Sequence, residues 1–191
     1  MESRGKQLIQ LIMKIPVFEH EAPLNQIMSE TYEIELTDPR AALMAFENVE
    51  WQTDDTYFDA SLEVYIDGEL FFKNDTTDAH GLWRDFVNAT LKPGNHIISF
   101  LDSPVDLQLI HQQHYTFQYV HTDYEWDEKG CLLSRTDTMI TSEPVPKEAV
   151  EPAIRDSFLH FAQFILTHDI PVAKVYKEEL KQQIHNWKAE E

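Results

Sequence analysis

The chain has 191 residues and carries 34 Asp and Glu against 15 Lys and Arg, a formal net charge of −19. That length suits one domain, and 42% hydrophobic with 12% aromatic residues supply a core, which excludes a wholly disordered chain. The charge repels nucleic acid and anionic lipid, and the single cysteine, Cys131, excludes an intrachain disulfide.

The charge is not spread evenly. Residues 15–91 hold seventeen acids and three bases (Arg40, Lys73, Arg84), whereas residues 92–191 hold sixteen acids and nine bases. Solubility alone does not require such clustering, so it points to a functional surface for a basic partner. The stretch Leu8–Ile15 is too short and too polar to span a membrane, and no small-residue cleavage site follows it. With one cysteine, the expected location is the cytoplasm.

In chain order, residues 6–15 satisfy neither a helical nor a strand period. Thr31–Thr37 alternates apolar with acidic residues, as a half-buried strand does. Asp38 and Pro39 predict the start of a short helix that continues through Ala41–Phe46. Tyr57–Phe72 is the clearest signal. Phe58, Ala60, Leu62, Val64 and Ile66 share one face, and Asp59, Ser61, Glu63 and Tyr65 the other. Asp67-Gly68 supplies a two-residue hairpin turn. The period of two thus predicts that these acids lie on a solvent face.

Asp78 predicts a helix N-cap, followed by the stripe Leu82, Trp83, Phe86, Val87 and Leu91, with Lys92-Pro93-Gly94 as the stop. His96–Leu101 and a long run over Val105–Tyr124 read as strand. Asp127-Glu128-Lys129-Gly130 reads as a turn into Cys131–Thr141. After a connector with Pro144 and Pro146, two helical stripes follow. The first places Pro152 in its first turn and runs through Ile154, Phe158, Phe161 and Ile165; the second runs from Val172 to Trp187, with a break at Asp169-Ile170-Pro171. The expected fold is α+β: an antiparallel sheet built of hairpins, with helices on one side and two C-terminal helices. One domain over 1–191 is expected, divisible into a sheet-rich part (1–143) and a helical part (144–191).

Catalytic signatures are sparse. Five scattered glycines offer no phosphate-cradling loop, and there is no Gly-x-Ser-x-Gly elbow. Cys131 lacks the basic cluster that activates a thiol. Asp123, Glu125 and Asp127 alternate like calcium ligands, but Glu128 stands where the loop needs glycine and Ser134 where it needs glutamate. Tyr124 and Trp126 would face away from these acids. His111, His114 and His121 are the nearest approach to a metal-ligand set. In one continuous strand, positions 111 and 114 point to opposite faces, and a bulge or a bend into a hairpin near Gln112-Gln113 would be needed to bring the histidines together. No cofactor is expected.

Tyrosine and tryptophan among carboxylates (Trp51, Tyr57, Tyr65 and Trp83 lie there) suit the gripping of Lys and Arg, with Trp83 belonging to a helix core. Two readings result, and a third is kept. In the first, the protein is a non-enzymatic binding or inhibitor protein. Glu33, Glu35, Asp59, Glu63, Tyr65, Asp67 and Glu69 meet a basic protein partner, such as a toxin or a nucleic-acid-binding enzyme. The profile, though no motif, is similar to that of immunity proteins and of inhibitors that imitate nucleic acid. The second is a small-ligand-binding protein or metal-dependent enzyme with a site near His111, His114 and Tyr115. The third is an oligomerising structural component that uses Phe158, Phe161, Ile165 and Trp187 as its contact surface.

Overall fold

The computed structural model describes residues 8–17, 32–50, 58–76, 78–101 and 105–188. Trp51 and Tyr57 lie outside the described residues. The fold is α+β, with two four-stranded antiparallel sheets and four helices among the described residues. The eight strands divide into two sheets rather than joining in one.

The first sheet has the order β2-β1-β3-β4. Strand β1 (Ile9–Val17) buries every second residue, with Ile9, Leu11, Met13, Ile15 and Val17 on the core side. Ile12 sits on the opposite face, which is why the sequence periodicity there is unclear. Pro16 lies where β1 has β2 as neighbour and β3 has already ended, a place that tolerates the missing N–H. Strand β2 (Tyr32–Glu35) leads into a turn in which the Asp38 carboxylate accepts from the Arg40 N–H, and helix α1 (Ala41–Glu50) begins after it. Pro39 therefore belongs to the turn, not the helix.

Strand β3 (Ala60–Ile66) turns into β4 (Glu69–Thr76) through Asp67 and Gly68, with φ of 54° and 85°. Positive φ at both positions defines the type I′ turn that the Asp-Gly pair predicts. The Asp67 backbone N–H donates to the Leu8 carbonyl, and its carboxylate accepts from the Leu8 N–H, which ties the turn to the start of β1.

Helix α2 (Ala79–Leu91) starts at Asp78, whose Oδ1 accepts from the Gly81 N–H at 2.8 Å. Its buried stripe of Leu82, Trp83, Phe86 and Val87 matches the sequence pattern, while Leu91 is exposed. Trp83 is fully buried and points its indole N–H at the Met13 sulfur, 3.4 Å away.

The second sheet has the order β5-β6-β7-β8, from β5 (Gly94–Ile98), β6 (Leu107–His111), β7 (Tyr115–Trp126) and β8 (Leu132–Thr141). The long run read as one strand is a hairpin that bends at Gln112–His114. The two sheets meet along β4. Phe71 packs edge-on against Phe117 and Tyr119, and Phe72 against Tyr119 and Phe100.

Helix α3 (Lys147–Thr167) begins well before Pro152, so that proline sits inside the helix and not in its first turn. Asp169, with φ of 50°, breaks the chain before α4 (Lys174–Lys188). Helix α3 lies on the core side of β1, where the Ser157 hydroxyl donates to the Leu11 carbonyl at 2.7 Å. Phe158, Phe161 and Ile165 are completely buried against Phe58, Trp83 and Trp187. The helical stripe proposed as an oligomer contact is thus core: its aromatic rings are consumed in holding α2, α3 and α4 together.

Candidate functional site

The first place to look is the polar face of the first sheet, where the sequence gathers carboxylates. Strand β3 lies between β1 and β4, so its polar side chains are flanked on both sides. Ser61 is 1% and Glu63 5% exposed. The prediction of a solvent-facing acid row therefore fails at Glu63. Lys14 Nζ lies 2.7 Å from Glu63 Oε2, the Tyr65 hydroxyl donates to the same oxygen at 2.9 Å, and Lys73 is 3.6 Å from Oε1. Lys73 also pairs with Glu33. Burial alone would raise the Glu63 carboxyl. Hydrogen bonds from Lys14 and Tyr65, with the charges of Lys14 and Lys73, outweigh it and leave the group below its ordinary range. The same contact raises the Tyr65 phenol.

Burial and the Glu33 charge raise Asp75 at the edge of this network. Glu33 and Glu63 thus have basic partners within the chain. Glu35, Asp67 and Glu69 remain exposed on the periphery, Asp67 with its turn role, and Asp59 is half-buried. The centre of the face is an ion network of Glu33, Glu63, Lys14 and Lys73, and its open acids lie at the periphery.

The second place is the β6–β7 hairpin. It pairs His111 with Tyr115, and their rings stack at 4.4 Å. His111 Nδ1 lies 2.9 Å from the Ala89 carbonyl and 3.0 Å from that of Lys92, both acceptors, so Nδ1 carries a proton and caps the end of α2. The Tyr115 hydroxyl donates to Glu151 Oε1 at 3.0 Å. Burial, and then the Glu151 charge, raises this phenol far above its ordinary value.

His114 is exposed in the bend, and His121 is exposed further along β7 beside Asp123. Six strand residues place His121 about 20 Å from the Tyr115 end. The three histidines do not converge, and among the described residues no group of three His, Cys, Asp or Glu could hold a metal. Beyond Glu151, a cleft of about 600 Å³ opens between α2, α3 and α4, lined by Thr90, Lys147, Glu148, Glu151, Arg155 and Trp187 among others. Its charges are mixed and carry no catalytic geometry of their own.

The third place is an arm. Of β7, strand β6 reaches only Tyr115–Tyr119, so from Val120 outward β8 is the one partner of β7 among the described residues. The arm runs about 23 Å over Val120–Trp126. Nearly every residue of β8 is exposed. Along β7 the buried residues are Tyr115 and Phe117, with Tyr119 packed against the core, all at odd positions. In the arm the odd positions are His121, Asp123 and Glu125, and the apolar residues Val120, Tyr124 and Trp126 fall on the even face.

The apolar side of the strand therefore switches to the face opposite the core. Across from it lie Met139, Arg135 and Leu132, paired with Val120, Tyr124 and Trp126. Tyr124 is 50%, Trp126 57%, Leu133 61% and Met139 53% exposed. The Tyr124 and Trp126 rings lie 6.2 Å apart on that face.

At the tip, Asp127 Oδ1 accepts from the N–H groups of Lys129 and Cys131 at 2.8 Å each, and Gly130 takes φ of 76°. The alternating acids read against a calcium loop are strand residues leading into this turn. The switch of apolar parity after Tyr119 was present in the sequence and marks the arm.

No helix among the described residues is long and apolar enough to cross a membrane. No protein-family model, curated protein or solved structure matches the chain.

Proposed function

We propose that this is a non-catalytic binding protein, of inhibitor or immunity-protein type, that docks a basic protein partner through the β7–β8 arm. The observation that carries the reading is the arm's two-sidedness. Tyr124 and Trp126 stand exposed on one face, with Asp123 and Glu125 exposed on the other. A partner that clasps the two-stranded ribbon meets ring area and a face for Lys or Arg on one side and carboxylate charge on the other. The net charge of −19 steers cationic surfaces inward and repels nucleic acid. The docking surface moves from the first sheet to the arm because Glu33 and Glu63 already have Lys73 and Lys14. The reading places the protein in the cytoplasm, where the exposed Cys131 stays reduced.

Affinity capture from the native host, with the intact chain and with Tyr124→Ala/Trp126→Ala side by side, tests it. A basic protein retained by the first and lost by the second supports the reading. A partner held equally by both, or one of neutral charge whose binding ignores salt, rejects it.

A further inference from the structure

The outer edge of β8 has no neighbour among the described residues, and an exposed edge offers unpaired N–H and C=O groups to another strand. Which residues face that edge follows from the ladder. The Ser142 N–H donates to the Phe117 carbonyl, and Val145 and Tyr115 exchange both backbone bonds. Odd residues of β7 therefore direct their backbone toward β8. By the alternation of antiparallel pairing, Thr138 and Thr136, opposite His121 and Asp123, direct theirs back toward β7. Arg135, Asp137 and Met139 are left with N–H and C=O groups on the open edge.

The side chains along that edge form a chemical palindrome: Leu133, Ser134, Arg135, Thr136, Asp137, Thr138, Met139. Read outward from Thr136 in both directions, the order is opposite charges, hydroxyls, then apolar residues. We propose that β8 pairs antiparallel with β8 of a second copy of this chain, about a twofold axis at Thr136. The two four-stranded sheets then become one of eight strands. This goes beyond the docking role proposed above, which uses the faces of the arm and not its edge.

Charge selects the register. Edge-facing residues must pair with edge-facing residues, so a twofold axis passes through a residue of β8, and Arg135, Thr136 and Asp137 are the positions at which charged residues of the two copies meet. Centring on Arg135 or on Asp137 sets like charges directly opposite, which is unfavourable. Centring on Thr136 sets Arg135 against Asp137 of the second copy, twice by symmetry. Ser134 then meets Thr138, and Leu133, at the bulge where β8 gains a residue, comes beside Met139. Arg135 already pairs with Asp137 in its own strand, Nε to Oδ1 at 3.0 Å. That pair is exposed and therefore weak, so it exchanges readily for the intermolecular one. Because the axis stands perpendicular to the sheet, the Tyr124 and Trp126 faces of both copies end on the same side.

Sedimentation equilibrium from micromolar to millimolar protein, with two sets of variants, tests this. The intact chain should associate to a dimer. Arg135→Asp and Asp137→Arg should each weaken association by about tenfold or more, because each sets two like-charged pairs opposite. The double exchange Arg135→Asp/Asp137→Arg should restore it, and the two single variants mixed should form a heterodimer. In a Cys131→Ser background, Thr136→Cys should oxidise to a covalent dimer and Thr138→Cys should not, because only the axial position meets its own copy at disulfide distance. A chain that stays monomeric throughout, association indifferent to the charge exchange, or equal cross-linking at both positions overturns the proposal. Circular dichroism confirms that each variant remains folded.

Discussion

Lys14 Nζ lies 2.7 Å from Glu63 Oε2, diagonally across the β1–β3 pair, with 6% of the Glu63 side chain exposed. Lys73, directly opposite Glu63 on β4, approaches its other oxygen. One buried carboxylate thus bridges two lysines, and Glu33 supplies the second negative charge through Lys73. Removing one member of a fully buried ion pair costs about 3–5 kcal/mol, and the partial exposure of the lysines lowers that to about 2–3 kcal/mol for Glu63→Ala. Urea unfolding followed by tryptophan fluorescence measures it. Glu69→Ala, at an exposed position, should change stability by less than about 0.5 kcal/mol.

The same carboxylate makes stability depend on pH. Its folded pKa lies below the ordinary 4.5, so the stabilisation is complete above that value and is lost as pH falls through the lowered one. His80 acts earlier. Burial lowers it from 6.5 despite the charges of Glu179 and Asp78. Its Nε2 is 3.0 Å from Glu179 Oε2 but off the direction of a hydrogen bond, so the contact holds the ring only by its field. The unfolded chain takes up this proton more readily than the folded one. Stability is therefore full above pH 6.5 and declines below it. Urea titrations over a pH series should show two successive losses on acidification, with His80→Gln removing the upper one and Glu63→Gln the lower.

Much of the fold was legible where one physical signal governs one element. Asp67-Gly68 can adopt positive φ twice, and the hairpin followed. Asp78 can cap, and α2 starts after it. Burial on both sides of a strand was not legible. The alternation through Ala60–Ile66 states which face is polar, but only the position of β3 between β1 and β4 decides that Glu63 is enclosed. His111 and Tyr115 read as site residues because of their chemistry, and they serve instead to lock the β6–β7 hairpin onto α2 and α3. The arm was half legible. The Tyr124 and Trp126 face could be read, but not that β6 ends short and leaves it uncovered.

Gly81 gives a prediction with an unusual sign. Glycine to alanine inside a helix ordinarily stabilises by about 1 kcal/mol. Here a Cβ would overlap the Asp78 carboxylate that caps α2. Gly81→Ala should instead gain nothing and destabilise by up to about 1 kcal/mol, because the lost cap, worth about 1–2 kcal/mol, cancels or exceeds the gain in propensity. Thermal unfolding of Gly81→Ala and Asp78→Ala together checks the cause, since alanine at 81 should stabilise once Asp78 is gone.

Asp127 holds the arm tip by two backbone N–H groups. An isolated two-stranded ribbon is only marginally stable, so Asp127→Ala should loosen the arm without unfolding the body. Amide exchange should speed up by about tenfold over 120–141 while protection in α2 and α3 stays unchanged.

The most direct test of the binding role is the affinity of the captured basic partner for the intact chain and for Tyr124→Ala/Trp126→Ala, each measured over a salt series. The account predicts a tenfold or greater loss in the variant, about 1.4 kcal/mol or more, with an association rate that falls steeply as salt rises for both. Unchanged affinity in the variant, or association indifferent to salt, contradicts it.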